Sequence, residues 1–135
     1  MALPELEIDL ERLQRELHDL SRIGSSTEWK GVTRRAFTQA DSDAKAWLSE
    51  RIAEAGGTPS VDGAGNVVGK FAGRSPDAPV VLIGSHIDSV PQGGMFDGCL
   101  GVLAGAGRHL GAAQHAREFF DALLGIELPH AGHGA

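Results

Sequence analysis

Cysteine is almost absent from this sequence, since Cys99 is the one cysteine among 135 residues. A disulfide within the chain is therefore excluded, which fits a protein of a reducing compartment. The first residues, Met1 to Glu7, also lack the basic start and the apolar stretch of a secretory signal. We therefore expect a cytoplasmic protein.

An excess of basic residues and long apolar runs are also lacking. The formal net charge is −6, whereas a nucleic-acid-binding protein needs a basic face to displace counterions. No block of Lys and Arg suggests a patch for a membrane surface. The longest apolar run, residues 80–83 with their neighbours, is far shorter than the roughly 20 residues that span a bilayer. We expect neither nucleic acid nor a membrane as a partner, and the length is that of one small domain.

Helical spacing is what the sequence does contain. Leucines near the start of the chain predict an amphipathic helix that ends near Gly24. Thr38 followed by Asp41 is a capping signal for a second helix, which the pair Gly56 and Gly57 ends. Small and apolar residues predict a third helix over residues 98–113. The apolar faces of the first two helices are Leu6, Leu10, Leu13, Leu17 and Leu20, and Ala44, Trp47, Leu48, Ile52 and Ala55.

Strand-forming residues follow the second helix. Residues 58–61 and 66–71 are separated by the turn-forming residues 62–65, which predicts a hairpin. Residues 80–83 are a continuous apolar run, typical of a strand buried on both faces of a parallel sheet. In α/β folds the chemistry lies at the carboxyl ends of such strands. The loop over residues 84–94 is therefore the expected place of a functional site.

Three residues at and after this loop could build a metal site. His86 offers an imidazole nitrogen, and Asp97 offers a carboxylate that can bridge two cations. Asp88 can hold the second nitrogen of His86, which fixes the tautomer of a metal-ligating histidine. Gly93, Gly94 and Gly98 let the backbone bring Asp97 back toward His86. We predict His86 and Asp97 as metal ligands and Asp88 as the catalytic residue that orients His86.

Each of these residues also has a plainer interpretation. Asp97 could cap the helix that follows it, His86 could be a hydrogen-bonded histidine at a strand end, and residues 88–89 could form a turn. For each residue taken alone, the plainer interpretation is favoured. When residues 84–105 are considered together, the metal site is favoured instead. Cys99 is a candidate soft ligand, but a small buried side chain at a helix start is the favoured interpretation.

The string that carries this pattern resembles a known family. Residues 84–105, Gly-Ser-His-Ile-Asp-Ser-Val-Pro-Gln-Gly-Gly-Met-Phe-Asp-Gly-Cys-Leu-Gly-Val-Leu-Ala-Gly, are similar to the zinc-peptidase-like amidohydrolases of the hydantoinase/carbamoylase family. That family includes N-carbamoyl-L-amino-acid hydrolases, allantoate amidohydrolases and ureidoglycolate-type enzymes. Residues 31–38 with Asp41, the helix to Gly56 and residues 61–67 add weaker support. The resemblance runs from about residue 10 to residue 105.

The resemblance implies an enzyme with two divalent metal ions, zinc, manganese or cobalt. Residues like His86 bind one metal, residues like Asp97 bridge two, and the residue matching Asp88 orients the histidine. The implied substrate is a small molecule with a linear amide or ureido carbon–nitrogen bond, and a glutamate moves the proton. The implied fold is α/β, the N-terminal part of a mixed-sheet catalytic domain. Full-length members are expected to be homodimers through a smaller dimerisation domain.

The sequence departs from the family after the helix that follows Asp97. The family pattern continues to paired glutamates, two further histidine ligands and the dimerisation domain, but Glu118 and Glu127 stand alone here. The later strands and the dimerisation domain are expected to be missing, and the metal site to be incomplete. We divide the chain into residues 1–113, part of the catalytic domain, and a divergent tail over residues 114–135. A frameshift or premature stop would produce such a tail, and so would true divergence.

Two functions from different classes therefore stay open. The first is a metal-dependent hydrolase of N-carbamoyl-L-amino acids or allantoate-like substrates, whose activity in this chain alone is expected to be lost. The second is a non-catalytic fragment or small α/β binding module with weak affinity for metal. The tail histidines, His109, His115, His130 and His133, are alternative ligands, but a solvated tail is the favoured interpretation there.

Overall fold

The computed structural model describes residues 9–72 and 79–106, which contain three helices and one two-stranded sheet. The predicted tail over residues 114–135 lies outside these ranges. None of the described helices combines the length and the apolar character needed to cross a membrane. In chain order the elements are α1 (Leu10–Arg22), α2 (Gln39–Glu54), β1 (Thr58–Val61), β2 (Val67–Lys70) and α3 (Cys99–Ala106).

Helix α1 forms where the leucine spacing predicts it. Asp9 caps its first turn by accepting a hydrogen bond from the backbone N–H of Arg12 at 2.9 Å. Leu17 and Leu20 are buried, and Leu13 packs against the same core, whereas Leu10 at the start of the helix is exposed. The helix packs on α3 through this stripe. The amphipathic helix is therefore confirmed for its described part.

Helix α2 begins at the predicted cap. The hydroxyl of Thr38 accepts from the backbone N–H of Asp41, and the carboxylate of Asp41 accepts from the backbone N–H of Phe37 at 2.9 Å. The helix ends before Gly56, whose φ of +88° is the left-handed conformation that glycine adopts without strain. Its buried face carries Ala44, Leu48 and Ile52, as the spacing predicts.

Strands β1 and β2 form the predicted antiparallel hairpin, in which Val61 is opposite Val67. The carboxylate of Asp62 closes the turn by accepting from the backbone N–H of Ala64 and of Asn66, both at 2.9 Å. Gly69 lies against Ile52 of α2, and a Cβ at this glycine would be 2.9 Å from that side chain. The hairpin therefore packs on α2 by a close approach that only glycine permits.

The expected buried strand over residues 80–83 is wrong for the described structure. Within the described residues the sheet contains β1 and β2 alone. Val80 is 90% exposed and Leu82 is 85% exposed. A strand in the interior of a parallel sheet needs a neighbouring strand on each side for its backbone and apolar cover on both faces. The described part of the chain supplies neither to this run.

Helix α3 covers the described part of the predicted third helix. Its small residues bring it close to the segment before His86, because a Cβ at Gly101 would be 2.9 Å from the hydroxyl of Ser85. Leu103 is buried in the core. The remainder of the predicted range, residues 107–113, lies outside the described residues. The core joins α1, α2, α3 and the loop before α3 through Leu17, Leu20, Ala44, Leu48, Ile52, Ile87, Cys99 and Leu103.

Candidate metal-binding site

The structure brings the three predicted site residues together between residue 86 and the start of α3. The Nε2 atom of His86 is 3.8 Å from a carboxylate oxygen of Asp97. The Nδ1 atom of His86 is 3.1 Å from the backbone carbonyl of Asp88 and 3.5 Å from its carboxylate. The two ring nitrogens of His86 therefore face two different aspartates.

Asp88 acts on His86 through a different atom from the one that the sequence suggested. A carbonyl oxygen can only accept, so the 3.1 Å contact requires a proton on Nδ1, and a neutral imidazole then carries its lone pair on Nε2. A backbone carbonyl in this position fixes a ligating histidine as a carboxylate does. The carboxylate of Asp88 is half exposed, at 47% of its side chain, and lies beyond hydrogen-bond distance at 3.5 Å.

The spacing between Nε2 of His86 and the carboxylate of Asp97 suits two ligands of one divalent cation. Two ligands that each lie about 2.1 Å from one zinc ion are about 3.4 Å apart at the tetrahedral angle. The observed 3.8 Å is close to that spacing and too long for a hydrogen bond. Asp97 is 80% exposed at its side chain, so a second carboxylate oxygen is open to a further cation.

Asp97 does not cap α3 by its side chain. The backbone N–H of Cys99 donates to the backbone carbonyl of Asp97 at 2.8 Å, which leaves the carboxylate free to face His86. Across residues 9–72 and 79–106, no group of three or more His, Cys, Asp and Glu side chains is arranged to hold a metal ion. His86 and Asp97 are therefore a two-ligand arrangement within the described residues.

Arg34 is buried, at 1% exposure, and contacts residues that are close to His86 and Asp97 in the chain. Its Nε atom donates to the backbone carbonyl of Ile87 at 2.7 Å, and its Nη2 atom donates to the sulfur of Cys99 at 3.1 Å. Its Nη1 atom donates to the backbone carbonyls of Leu20 and Ile23 at 3.0 and 2.6 Å. One side chain therefore connects the end of α1, the His86 loop and the first residue of α3.

Backbone contacts anchor the loop on the side away from α3. The hydroxyl of Ser89 accepts from the backbone N–H of Arg34 at 2.9 Å and donates to the carbonyl of Val32 at 3.0 Å. Val32 and Gly93 exchange backbone hydrogen bonds of 3.0 and 2.8 Å. A Cβ at Gly31 would be 2.7 Å from the carbonyl of Gln92. The segment around Val32 therefore holds the loop after His86 at close range.

Gly98 gives His86 the room that it needs. A Cβ at this residue would be 2.4 Å from the His86 carbonyl and 2.5 Å from two atoms of the imidazole ring. Its φ of +70° is also a conformation that other residues rarely adopt. The sequence indicated that Gly98 helps the backbone to turn, and the structure adds that it contacts the imidazole of His86.

Cys99 matches its favoured interpretation as a buried side chain at the start of a helix, at 3% exposure. Burial raises the pKa of its thiol, the guanidinium of Arg34 lowers this pKa and the carboxylate of Asp97 raises it, and the net direction is upward. The thiol is therefore protonated at neutral pH. In that form it accepts a hydrogen bond from Arg34 rather than binding a cation as thiolate.

A cavity of about 330 Å³ lies beside His86 and Asp88. It is bordered by α2, by the hairpin and by α3, and its wall includes Lys45, Asn66 and Val102. The ion pair of Lys45 and Asp41, at 2.8 Å, is part of this wall. The volume lies within the range of small-molecule sites.

Arg34 is the site residue to which the sequence gave no role. It lies within residues 31–38, which support the family resemblance, but its neighbour Arg35 is exposed. Nothing in the pattern of two adjacent arginines in an irregular segment separates the buried one from the solvated one. The contact between Arg34 and Ile87 joins residues that are 53 positions apart, and local sequence does not contain that information.

Known proteins share both the sequence and the fold of the described region. An N-carbamoyl-L-amino-acid amidohydrolase of Pseudomonas sp. (strain NS671) is 47% identical over 98 residues, which are 73% of this chain and 23% of that protein. The allantoate amidohydrolase of Bacillus subtilis (strain 168) is 38% identical over 85 residues, which are 63% of this chain and 20% of that protein. No family model matches the chain.

Solved structures agree with the sequence comparison. A hydantoinase/carbamoylase family amidase from Burkholderia ambifaria superposes with a TM-score of 0.73 at 44% identity, over 78% of this chain and 26% of that one. The chain thus spans between a fifth and about a quarter of the length of these proteins. The expected α/β fold class is confirmed, since helices and a two-stranded sheet match part of these structures. By sequence and by fold, the described region matches part of the amidohydrolases of the hydantoinase/carbamoylase family.

Proposed function

We propose that His86 and Asp97 are metal ligands of a hydrolase that cleaves linear amide or ureido carbon–nitrogen bonds. The observation that carries this proposal is the 3.8 Å separation between Nε2 of His86 and the carboxylate of Asp97, with Nδ1 of His86 engaged by Asp88 at 3.1 Å. A ligating histidine needs a free lone pair on one nitrogen and a fixed hydrogen bond on the other. His86 has both.

The proposed substrates are N-carbamoyl-L-amino acids or allantoate-like compounds. The names of the similar proteins support this class, because they include N-carbamoyl-L-amino-acid and allantoate amidohydrolases. The cavity of about 330 Å³ beside His86 and Asp88 has the size for a small ureido compound. Because the chain spans only part of the length of those proteins, the activity is proposed for the protein that contains the complete site.

Two divalent cations, zinc, manganese or cobalt, would supply polarisation of the scissile carbonyl and a water of lowered pKa when bound. His86 would hold one of them through Nε2, and the carboxylate of Asp97 would be shared by both. Asp88 would keep the proton of His86 on Nδ1. The half-exposed His86 and the exposed Asp97 leave the site open to water and substrate.

A second candidate is a non-catalytic chain that binds metal weakly. This candidate is favoured by the two-ligand arrangement, since the described residues provide no third His, Cys, Asp or Glu for the same ion. Catalytic zinc sites in proteins normally have three protein ligands. For this candidate, the metal binds without turnover.

Hydrolysis of N-carbamoyl-L-methionine and allantoate, assayed with Zn²⁺, Mn²⁺ or Co²⁺, separates the two candidates. Turnover that is lost in both His86→Ala and Asp97→Ala supports the hydrolase. Metal binding without turnover, lost in the double variant, supports the second candidate. His18→Ala on the exposed face of α1 is the matched control, and neither activity nor binding should change in it. Binding that survives in the double variant would sink both candidates and would assign the metal to other histidines.

A further inference from the structure

Arg34 is the largest side chain that the described structure buries fully. None of the ion pairs within the described residues includes it. Burial of a cation without a carboxylate is costly unless its donors are satisfied. The guanidinium meets that requirement with three backbone carbonyls and one thiol. A fold that only needed to fill this space would contain an apolar side chain here, so the choice of arginine requires an explanation.

The cost is partly offset at the end of α1. The carbonyls of Leu20 and Ile23 lie at the C-terminus of that helix, where the helix dipole places partial negative charge. These two bonds fix one end of the guanidinium. The remaining donors, Nε and Nη2, therefore point in directions that α1 determines.

These two donors reach the two halves of the candidate metal site. Nε holds the carbonyl of Ile87, which lies between His86 and Asp88 in the chain. Nη2 holds Cys99, which is two residues after Asp97. The guanidinium is planar and its donors have a fixed geometry, whereas lysine offers one flexible ammonium group. Arginine can therefore set a distance between two loops that lysine cannot.

We infer that Arg34 is a positioning residue that sets the spacing between His86 and Asp97 and the tautomer of His86. The inference rests on the proposed function for its biological meaning. Its geometric content does not depend on metal. Holding the Ile87 carbonyl fixes the backbone that leads to the Asp88 carbonyl, and that carbonyl holds the proton on Nδ1 of His86. Arg34 touches neither ligand, so it acts through the backbone.

The test compares the Arg34→Lys variant with the matched control Arg35→Lys, because Arg35 is exposed. Nitrogen-15 spectra report the tautomer of His86. The nuclear Overhauser effect between the His86 ring and the α-protons of Gly98 reports the spacing. We expect the Nδ1–H tautomer in the wild type and in Arg35→Lys. In Arg34→Lys we expect a mixture of tautomers and a weaker Overhauser effect, at a temperature where all three chains are folded.

Paramagnetic broadening by Mn²⁺ extends the test to the metal. Loss of a group that orients a ligand typically lowers metal affinity about 10-fold or more. We therefore expect Arg34→Lys to need about 10-fold more Mn²⁺ to broaden the signals of His86 and Asp97. If the wild type shows no broadening there, the proposed metal site is wrong, and the tautomer and the Overhauser effect still decide the role of Arg34.

The Cys99→Ala and Cys99→Ser variants keep the inference testable if Arg34→Lys does not fold. Alanine removes the acceptor of Nη2 together with the 3.9 Å contact from the thiol to the Ile87 carbonyl. The 2.7 Å bond from Nε of Arg34 to that carbonyl remains, so the Overhauser effect between His86 and Gly98 should weaken while the tautomer stays as in the wild type. Serine restores an acceptor and should restore the effect. A folded Arg34→Lys chain with the wild-type tautomer and spacing would overturn the inference. An unchanged spacing in Cys99→Ala would overturn it when Arg34→Lys is unfolded.

Discussion

Two neighbouring segments of this chain, residues 80–83 and residues 85–89, hold their apolar side chains in opposite environments. In residues 80–83, Val80 and Leu82 are exposed at 90% and 85%, whereas Ile87, a few residues later, is 8% exposed. The first segment pairs with no strand among the described residues. The second is bound by the side chain of Arg34 and leads to Ser89, which is bound by the backbone of residues 32–34.

The difference shows what holds the candidate site. The loop that carries His86 and Asp88 is fixed by polar contacts from residues 32–34 and from the start of α3. It does not depend on pairing of the apolar run that precedes it. Exposed apolar surface of the kind seen at Val80 and Leu82 promotes association. The loop that carries the site and the apolar run that precedes it therefore have separate structural requirements in this chain.

Loss of the Arg34 contacts is expected to lower the free energy of unfolding more than any other change considered for these two segments. Arg34→Met keeps an apolar stem of similar length but removes the guanidinium that donates to the carbonyls of Leu20, Ile23 and Ile87. The Leu20 carbonyl then keeps only the backbone N–H of Ile23 at 3.2 Å, and the Ile87 carbonyl keeps only the thiol of Cys99 at 3.9 Å. Because a hydrogen bond from a charged group contributes about 1.5–3 kcal/mol and several are lost together, the free energy of unfolding should fall by about 3 kcal/mol or more. Urea denaturation followed by circular dichroism measures the change. In the control Arg35→Met the fall should stay under about 0.5 kcal/mol, and an equal loss in both variants would contradict the role of the buried donors.

Truncation of one apolar side chain in each segment is expected to change the free energy of unfolding by unequal amounts. Ile87→Ala removes a buried side chain from the core, and such changes cost about 2–5 kcal/mol. Leu82→Ala removes an exposed side chain and should change the free energy of unfolding by less than about 0.5 kcal/mol. The same denaturation experiment measures both. A large cost for Leu82→Ala would mean that residues 80–83 are packed in solution, and the contrast between the two segments would be lost.

Substitution of Gly98 tests the close approach of His86 to the start of α3. In Gly98→Ala the new methyl would overlap the His86 ring and carbonyl, at a φ that alanine rarely adopts. We expect a loss of about 2 kcal/mol from the combined strain, together with a displaced His86 ring. Gly94→Ala is the matched control, since a Cβ there meets nothing within 4 Å. Proton–nitrogen NMR spectra of His86 should change in the first variant and remain unchanged in the second.

The smallest effect is expected at the hairpin turn. Hydrogen bonds from the side chain and backbone of Asn66 lower the pKa of Asp62 from its ordinary value of 3.8. The associated stabilisation is therefore present above the unfolded pKa and is lost as the pH falls through the lower folded pKa. Carboxyl chemical shifts across an acid titration measure the pKa. Asn66→Ala should raise it toward the ordinary value, and an unchanged pKa would show that the turn is not closed as described.

The sequence predicted those elements whose signals are local. Thr38 with Asp41 marks the start of α2, and residues 62–65 mark the turn between β1 and β2, because capping and turn formation involve residues only a few positions apart. The run over residues 80–83 was predicted as a buried strand from its composition alone. A strand also requires partners, and composition does not reveal whether the described chain provides them.

In the candidate site, too, the features with a local sequence signal were predicted, and the features that depend on distant contacts were not. His86, Asp88 and Asp97 were predicted from a short string, and the structure brings them together. The role of Arg34 depends on contacts with Leu20, Ile87 and Cys99, which are distant from it in the sequence. The use of the Asp88 carbonyl instead of its carboxylate depends on backbone geometry. Neither feature has a signal in residue types or spacing.

The most direct test of the central claim is a Mn²⁺ titration of the wild-type chain and of the double variant His86→Ala with Asp97→Ala. Proton–nitrogen NMR spectra locate the metal by the signals that broaden first. We expect the signals of residues 86–88 and 97–99 to broaden together in the wild type and to remain sharp in the double variant at the same Mn²⁺ concentration. Broadening that begins elsewhere in the wild type, or that is unchanged at these residues in the double variant, would contradict a metal site at His86 and Asp97.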